Sequence, residues 1–308
     1  MERECVVCLD AGGALRRKGC ACRGTSELVH FECALRAVVA QLSHRGDVAW
    51  HQCQTCKQSF TGEICVALAD AWLARAGAGV ERQRALNYRA LAIGGMGAYA
   101  EAERIYRGVL GIRLRMYGPA HKATVASMSK LASSLVDQGK SVEAERLFRA
   151  VAASRARSLG AEHPLTLSTE SNLALALSKQ GKLDEATRRY ESAVSAQSRV
   201  LGKAHGDTLL TMGNFASLLS RRNDHVAAEQ MYRAALSPHR RVFGDAHPNT
   251  LLLHNNLAFC LMRQKRLGEA AAIYEKTAPA MRLVFGDEHP DTKEYARDAK
   301  RCRQLAPT

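Results

Sequence analysis

Aromatic residues and long apolar runs are scarce in this chain of 308 residues, and each shortage narrows the range of folds. Phe, Trp and Tyr make up 6% of the residues, and the apolar 46% is mostly Ala and Leu. Ala and Leu favour helices, whereas sheets are rich in aromatic and β-branched residues. No run of about 18 apolar residues is present, and the N-terminal Met-Glu-Arg-Glu-Cys-Val-Val-Cys lacks the apolar core of a signal peptide. We therefore predict a mostly α protein that is cytoplasmic and has no membrane partner.

Cysteines and charges are both unevenly distributed. Seven of the ten cysteines lie in the first 56 residues, and in a reducing compartment such a cluster indicates metal ligands before disulfides. The other three, Cys65, Cys260 and Cys302, are isolated, and we interpret them as buried helix cysteines rather than reactive thiols. Residues 1–70 have no net charge, so residues 71–308 carry the whole net charge of +14. A basic region of this kind attracts acidic partners.

A period of 42 residues dominates the chain from about residue 81 onward. One residue type, or one class, recurs at this spacing at six positions, which indicates a stacked array. The recurring residues are Gly118, Gly160, Gly202, Gly244 and Gly286; His121, His163, His205, His247 and His289; Thr124, Thr166, Thr208, Thr250 and Thr292; Ala90, Ala132, Ala174, Ala216 and Ala258; Ala102, Ala144, Ala186, Ala228 and Ala270; and the aromatic Tyr106, Phe148, Tyr190, Tyr232 and Tyr274. Each unit reads as two helices with a short break between them.

The repeat resembles the 42-residue tetratricopeptide units of kinesin light chain. The matching motifs are Gly-Asp-Glu-His-Pro-Asp-Thr at 286–292, its variants at 160–166 and 244–250, and Asn-Leu-Ala at 172–174 and 256–258. The resemblance implies an α-solenoid, a tetratricopeptide superhelix, with a role in peptide binding.

The five repeated histidines invite a metal-binding interpretation, which the repeat spacing argues against. Successive units place them roughly 10 Å or more apart, too far to share an ion whose ligand bonds are near 2 Å. We expect each of them to pack against or cap the start of the first helix of its own unit.

The first helices of repeats three to five carry a candidate peptide groove. Asn172, Asn214 and Asn256 are 42 residues apart, and seven residues after each lies a cation, Lys179, Arg221 or Arg263. Seven residues are nearly two helical turns, so each Asn shares a face with its cation. In kinesin light chains the similar Asn residues line the cargo-peptide groove, which by resemblance supports an extended acidic peptide as the partner. The alternative is that each cation only complements its helix C-terminus.

Two further observations limit the groove. Tyr88 and Lys130 stand at the Asn position in the first two repeats, so the groove is centred on repeats three to five. The basic residues are spread over many positions, without the basic cluster interleaved with aromatics that stacks bases, so nucleic acid is not the expected partner.

The N-terminal ligands read Cys5-x2-Cys8-x11-Cys20-x-Cys22-x7-His30-x2-Cys33-x19-Cys53-x2-Cys56. Eight such ligands make two four-ligand zinc sites. Their short pairs suit an interleaved cross-brace in which Cys5, Cys8, His30 and Cys33 bind one zinc and Cys20, Cys22, Cys53 and Cys56 bind the other. Closed sites are structural, and a segment this short has little core, so we expect the metal to supply its folding energy and its core to be separate from that of the repeats.

The spacing of this segment resembles RING-CH domains, the class found in MARCH ubiquitin ligases. The matching residues are Cys20-Ala-Cys22-Arg-Gly24-Thr25, Val29-His30-Phe-Glu-Cys33, and Cys53-Gln-Thr-Cys56-Lys57 with Phe60; plant homeodomain fingers share the ligand order but differ in spacing. The resemblance implies a module that docks a ubiquitin-charged E2 enzyme without a covalent intermediate. By that resemblance Val7 contacts the E2, and Lys57 helps to fix the ubiquitin conformation.

The segment also departs from the RING-CH pattern. Ala37 stands where the family has Trp, and Gln54 stands where many RING domains have Pro; Trp50 is a candidate core residue instead. The predicted organisation is therefore a zinc-binding domain at 1–62, a connecting helix at 63–80, five tetratricopeptide repeats at 81–290, and a capping helix and tail at 291–308. The leading functional hypothesis is an E3 ubiquitin ligase whose repeats select the substrate. The alternative is a non-catalytic scaffold stabilised by zinc.

Overall fold

The computed structural model describes residues 15–17, 28–50, 62–285, 287 and 290–305, and these confirm the mostly α class. The chain divides into two compact units, Met1–Lys140 and Ser141–Thr308. Within the described residues there are thirteen α-helices and two strands of three residues each. No helix in these ranges combines the length and apolarity needed to cross a membrane.

The first unit begins with a small antiparallel pair of strands, in which Leu15 lies opposite His30. Its elements in chain order are β1 (Leu15–Arg17), β2 (Leu28–His30), α1 (Phe31–Arg45), a 3-10 helix (Gly46–Trp50), α2 (Gly62–Arg75), α3 (Val80–Gly95), α4 (Tyr99–Tyr117) and α5 (Lys122–Asp137).

The second unit is entirely α-helical in its described part, with consecutive helices packed as hairpins. Its helices are α6 (Ser141–Leu159), α7 (Pro164–Lys179), α8 (Leu183–Val200), α9 (Gly206–Arg221), α10 (His225–Phe243), α11 (Pro248–Arg263), α12 (Leu267–Phe285) and α13 (Pro290–Leu305). The predicted pairs of helices and the closing C-terminal helix are therefore present; the four segment boundaries themselves stay predictions.

The first unit has one shared core where separate cores were expected. Trp50 is buried beside Trp72 of α2, with ring centroids 5.9 Å apart and planes 3° from parallel. The ring centroid of Trp72 in turn lies 6.0 Å from that of Tyr88 of α3. Val38 of α1 belongs to the same buried cluster. The prediction that Trp50 is a core residue is confirmed, and the expectation of separate cores is wrong because this aromatic column joins residues 38–50 to the first repeat.

Histidines cap the first helices of repeats two to five, as predicted, whereas Gly79 precedes the first helix of repeat one. The Nδ1 atom of each accepts a hydrogen bond from the backbone N–H two residues later at 3.1–3.2 Å, which satisfies one of the free donors of a helix N-terminus. These residues are His121, His163, His205 and His247. The fifth, His289, lies outside the described residues.

The loops before His163, His205 and His247 are held by the repeated Gly and Thr. Gly202 has φ +94°, a left-handed conformation that glycine adopts without strain. Its carbonyl accepts a hydrogen bond from the Thr208 hydroxyl at 2.9 Å, and Thr250 makes the same bond to Gly244 at 2.8 Å. Both threonines are fully buried, so this loop fixes how these first helices follow the second helices before them.

Buried glutamates link three of the second helices to the turn that comes after the next first helix. Glu145 of α6 accepts hydrogen bonds from Lys182 and Gln180, both at 2.7 Å, and also pairs with Arg149. We call such a set a turn ion pair. The same arrangement joins Glu103 to Lys140 at 2.6 Å in the first unit and Glu229 to Arg266 at 2.8 Å in the second. Each glutamate carboxylate is therefore neutralised by cations although its side chain is mostly buried.

Candidate functional site

The first helices of repeats three to five lie side by side in the second unit. Thr211 of α9 donates a hydrogen bond to Ser171 of α7 at 3.0 Å. On the other side of α9, Cys260 of α11 lies 3.5 Å from the Ser220 hydroxyl. Side chains of α7, α9 and α11 that point away from these contacts therefore share one surface.

This surface carries all six predicted groove residues and several exposed apolar ones. The three asparagines are half-buried and the three cations are exposed. One turn before Asn214 and Asn256 lie Leu210 and Leu252, which are 51% and 38% exposed. We call this set the first-helix face: Asn172 and Lys179 of α7; Leu210, Asn214 and Arg221 of α9; and Leu252, Asn256, Phe259 and Arg263 of α11.

The exposed apolar residues of this face were missed by the sequence analysis. Leu210 and Leu252 are 42 residues apart, and each precedes its Asn by four residues, the spacing of neighbours on one helix face. Phe259, three residues after Asn256, is 45% exposed. The 42-residue spacing of these two leucines is present in the sequence. Their solvent exposure could not be predicted from that spacing, because buried leucines occur at other repeated positions.

The three cations of this face differ in their surroundings. Arg221 Nη1 donates to both the carbonyl and the hydroxyl of Ser178 at 2.9 Å. Ser178 lies in the last turn of α7, so Arg221 complements a helix C-terminus, although that of the preceding repeat rather than its own. Desolvation lowers the pKa of the His225 imidazole, and the nearby positive charge of Arg263 lowers it further. The helix-end hypothesis therefore describes Arg221, and the peptide-binding hypothesis stays a prediction.

One asparagine of the face also has an internal contact. Burial and the nearby Cys260 raise the pKa of the Tyr232 hydroxyl. Its hydrogen bonds with Ser217 and Asn256 lower that pKa by a smaller amount. At the corresponding position one repeat earlier, the buried Tyr190 hydroxyl has no hydrogen-bond partner among the residues that the structure describes. Tyr190 stacks on Phe215 instead, with ring centroids 5.8 Å apart.

The zinc ligands and E2-contact candidates lie largely outside the described residues. Six of the eight ligands, Cys5, Cys8, Cys20, Cys22, Cys53 and Cys56, are outside, as are Val7 and Lys57. The backbone places His30 at the end of β2 and Cys33 in the first turn of α1. These two residues thus flank a strand-to-helix junction. Within the described ranges, no group of His, Cys, Asp or Glu side chains is arranged to hold a metal ion.

The three isolated cysteines are buried in helices, as predicted. Cys65 is 5% exposed, and both Cys260 and Cys302 are fully buried. Burial raises the pKa of all three thiols, which keeps them protonated. Cys65 Sγ lies 3.0 Å from the Tyr88 hydroxyl, in the aromatic column of the first unit.

Family models for the tetratricopeptide repeat match most of the repeat region. One matches residues 124–197 and 165–237, and another matches residues 83–122 and 250–291. Together they cover more than half of the chain. A comparison with curated protein sequences finds no significant match.

Solved structures with the same fold include repeat proteins of several kinds. The nearly identical TPR-like repeats assigned to kinesin light chain in Podosopora anserina share 23% identity, cover 66% of this chain and 96% of theirs, and superpose with a TM-score of 0.53. BtubC (BKLC) from P. vanneervenii shares 17% identity, covers 85% and 94%, and gives 0.55. NprR in complex with its cognate peptide NprX shares 12% identity, covers 90% and 79%, and gives 0.56. At these identities the likeness shows the fold alone.

Proposed function

Since the chain belongs to the tetratricopeptide repeat family and is a scaffold for protein–protein interaction, we propose that the first-helix face of repeats three to five binds an extended acidic segment of a partner protein. The observation that carries this proposal is the recurrence, on three helices packed side by side, of a half-buried Asn with a cation two turns later. Exposed Leu or Phe lies within one turn of Asn214 and Asn256. Amide, apolar and cationic groups thus alternate along one surface.

The spacing of the helices suits an extended chain. First helices packed side by side lie about 10 Å apart, and an extended chain advances about 3.3 Å per residue. A bound peptide therefore presents about three residues to each repeat. The Asn amides would bond its backbone, the leucines would contact its apolar side chains, and Lys179 and Arg263 would attract its carboxylates. The peptide complex of NprR, which has the same fold, supports this type of ligand.

A peptide-selection experiment tests the proposal. We expect a library of short unstructured peptides to yield sequences that combine acidic and apolar residues. The double variant Asn214→Ala with Asn256→Ala should bind the selected peptides about tenfold more weakly, since each backbone hydrogen bond contributes about 0.5–1.5 kcal/mol. The matched control is Gln230→Ala, on the exposed side of α10. Equal losses for the control and the Asn variants, with unchanged melting curves, would refute the assignment of this face.

We further propose that residues 1–62 form the RING-CH module, so that the whole chain is an E3 ubiquitin ligase whose repeats bind the substrate. Seven thiols and one imidazole are donors that suit two structural Zn²⁺ ions, which would hold the loops of this segment. The strand-to-helix junction at His30 and Cys33 supports the pairing of these two ligands. The alternative function, a scaffold without ligase activity, rests on Ala37, which is too small to replace the Trp of the family.

Ubiquitin transfer separates these two functions. We expect the full chain with a panel of E2 enzymes to form ubiquitin chains on itself, Val7→Ala to reduce this activity, and Cys53→Ser with Cys56→Ser to abolish it and release one zinc. Cys302→Ala, a buried cysteine outside the ligand set, should retain both metal and activity. Two zinc ions with no ubiquitin transfer would favour the scaffold, and two zinc ions in the double variant would refute the ligand assignment.

A further inference from the structure

Arg113 of α4 is a buried guanidinium held by neutral groups. Its side chain is 7% exposed. Nε donates to Gln83 Oε1, and Nη1 donates to the Ala123 carbonyl and the Ser127 hydroxyl, all at 2.9 Å. In the part of the chain that the structure describes, no carboxylate forms an ion pair with Arg113. Its positive charge is therefore left without a counterion in a partly desolvated setting, which is costly.

Two further cations lie next to the contacts of Arg113. On α5, Ser127 comes four residues after Ala123, and Lys130 comes three residues after Ser127. These three residues therefore share one stripe of the helix. Arg84 directly follows Gln83 on α3. Desolvation and the charge of Arg84 both lower the pKa of Arg113, and desolvation and the charge of Arg113 lower the pKa of Lys130. Arg113 thus interacts electrostatically with each of the other two cations of the first unit.

The free edge of the guanidinium determines what an anion could contact. Nε and Nη1 of Arg113 are engaged, whereas Nη2 makes no hydrogen bond with a described residue and is not among the buried atoms that lack a partner. It therefore reaches solvent. With a single free nitrogen, Arg113 cannot form the two-pronged pair with a carboxylate that arginine favours.

We propose that Arg113, Lys130 and Arg84 form a binding site for a phosphoryl group. A phosphate monoester carries close to two negative charges and has three acceptor oxygens, so it can meet three separate cationic donors. A carboxylate brings one charge and two oxygens. This site lies on α3, α4 and α5, and it is independent of the first-helix face, which lies on α7, α9 and α11.

Arg155, at the same repeat position as Arg113, shows what distinguishes the site. Arg155 Nη1 donates to the Leu165 carbonyl at 3.1 Å and to the Thr169 hydroxyl at 2.6 Å, again neutral groups. In that repeat the position of Lys130 is taken by Asn172. A partly buried guanidinium can therefore be held at this repeat position by neutral groups, and the additional cations are what make the first unit different.

Calorimetric titration of the full chain at fixed ionic strength tests the site. The probes are inorganic phosphate and an alanine peptide with one central residue, either phosphoserine, glutamate or serine. We expect phosphoserine or inorganic phosphate to bind, and Lys130→Ala to weaken binding by about tenfold or more. The matched control, Lys122→Ala, removes one charge from the same helix outside the stripe and should change affinity by less than about twofold. Arg84→Gln, an exposed change on α3, gives a second variant that keeps the buried Arg113 side chain and its hydrogen bonds.

Each outcome of this titration decides the proposal. Binding of the phosphoserine peptide alone identifies a phosphorylated protein segment as the source of the phosphoryl group, and binding of inorganic phosphate alone identifies the free ion. The proposal is overturned if neither binds, if the glutamate peptide binds as tightly as phosphoserine, or if Lys122→Ala costs as much as Lys130→Ala. Asn214→Ala, which tests the first-helix face, should leave phosphate binding unchanged.

Discussion

Cations at one repeat position have different partners, and this difference decides what each residue contributes. Arg221 is bonded twice to Ser178 at the end of α7, whereas Arg263 lies near His225, the first residue of α10. The sequence places the two in the same position of the repeat. Ser178 and Ser220 also correspond, yet Ser220 lies 3.3 Å from His225, where the preceding repeat has Leu183. A neighbouring side chain outside the repeated motif thus changes the role of a repeated cation.

The first prediction concerns these two arginines. Arg221→Met should lower the free energy of unfolding by about 0.5–1.5 kcal/mol, because it removes two hydrogen bonds to the end of α7. Arg263→Met should change it by less than about 0.5 kcal/mol. Chemical denaturation followed by circular dichroism measures both, and a larger loss for Arg263 would contradict the contacts described for Arg221.

At the level of elements, the turn ion pairs are the contacts that the repeat period did not reveal. Each glutamate and its cation are 37 residues apart, less than one repeat, so the pair joins a second helix to the turn after the next first helix. In the remaining link between described repeats, Thr187 replaces the glutamate, and Arg222 bonds both Thr187 and Asp184. The link is therefore kept although the residues that make it change.

The second prediction tests this link at Glu145. Glu145→Gln removes the carboxylate partner of Lys182 and one of the two carboxylate partners of Arg149, and it should destabilise the second unit by about 1–2 kcal/mol, a modest figure because both cations are half-exposed. Glu191→Gln, an exposed change on α8, is the matched control and should have little effect. Equal melting temperatures for the two variants would show that the buried carboxylate does not stabilise the link.

The sequence predicted helices better than it predicted contacts between them, and particular residues show why. The capping histidines, the Gly-to-Thr loops and the helix pairs follow from local chemistry, which a repeat period displays directly. The column of Trp50, Trp72 and Tyr88 joins residues far apart in sequence and occurs once, so no period marks it. The phosphoryl site is likewise formed where the repeat is broken by Lys130 and Arg84.

The third prediction follows from that column. Trp50→Ala should destabilise α2 and α3 by about 3–5 kcal/mol, the cost of removing a buried aromatic side chain. Hydrogen exchange should then be faster in residues 62–95 than in α9 and α11, where it should be unchanged. If residues 62–95 keep their protection, the two segments have separate cores after all, as the sequence analysis expected.

For the whole molecule, acid sensitivity combines two kinds of buried group. Burial lowers the pKa of His239 and of His254 to about 4, so both are neutral in the folded chain at neutral pH. Unfolded histidine titrates near pH 6.5, so the unfolded chain binds more protons between pH 6.5 and 4, and stability falls as the pH falls through that window. The turn ion pairs hold the pKa of Glu103 and Glu145 at about 2, and their contribution is lost below about pH 4.5.

The fourth prediction isolates the histidine part of this behaviour. His239→Gln should reduce the fall in melting temperature between pH 6.5 and 4, because Gln does not titrate and Gln197 already fills the corresponding position one repeat earlier. The decline below pH 4.5 should remain. An unchanged slope between pH 6.5 and 4 would show that His239 does not couple folding to protonation.

The distribution of the turn ion pairs has a genetic consequence. Residues 183–224 span 42 positions and contain the link in which Thr187 and Asp224 stand in place of the glutamate and the cation. An in-frame deletion of this stretch would join Lys182 to His225 and leave the pairs of Glu145 with Lys182 and of Glu229 with Arg266 intact. Gene duplication or loss in such cassettes would alter the number of half-buried asparagines by one at a time, so the length of the partner segment that we propose for this face is a trait that selection can adjust in whole steps.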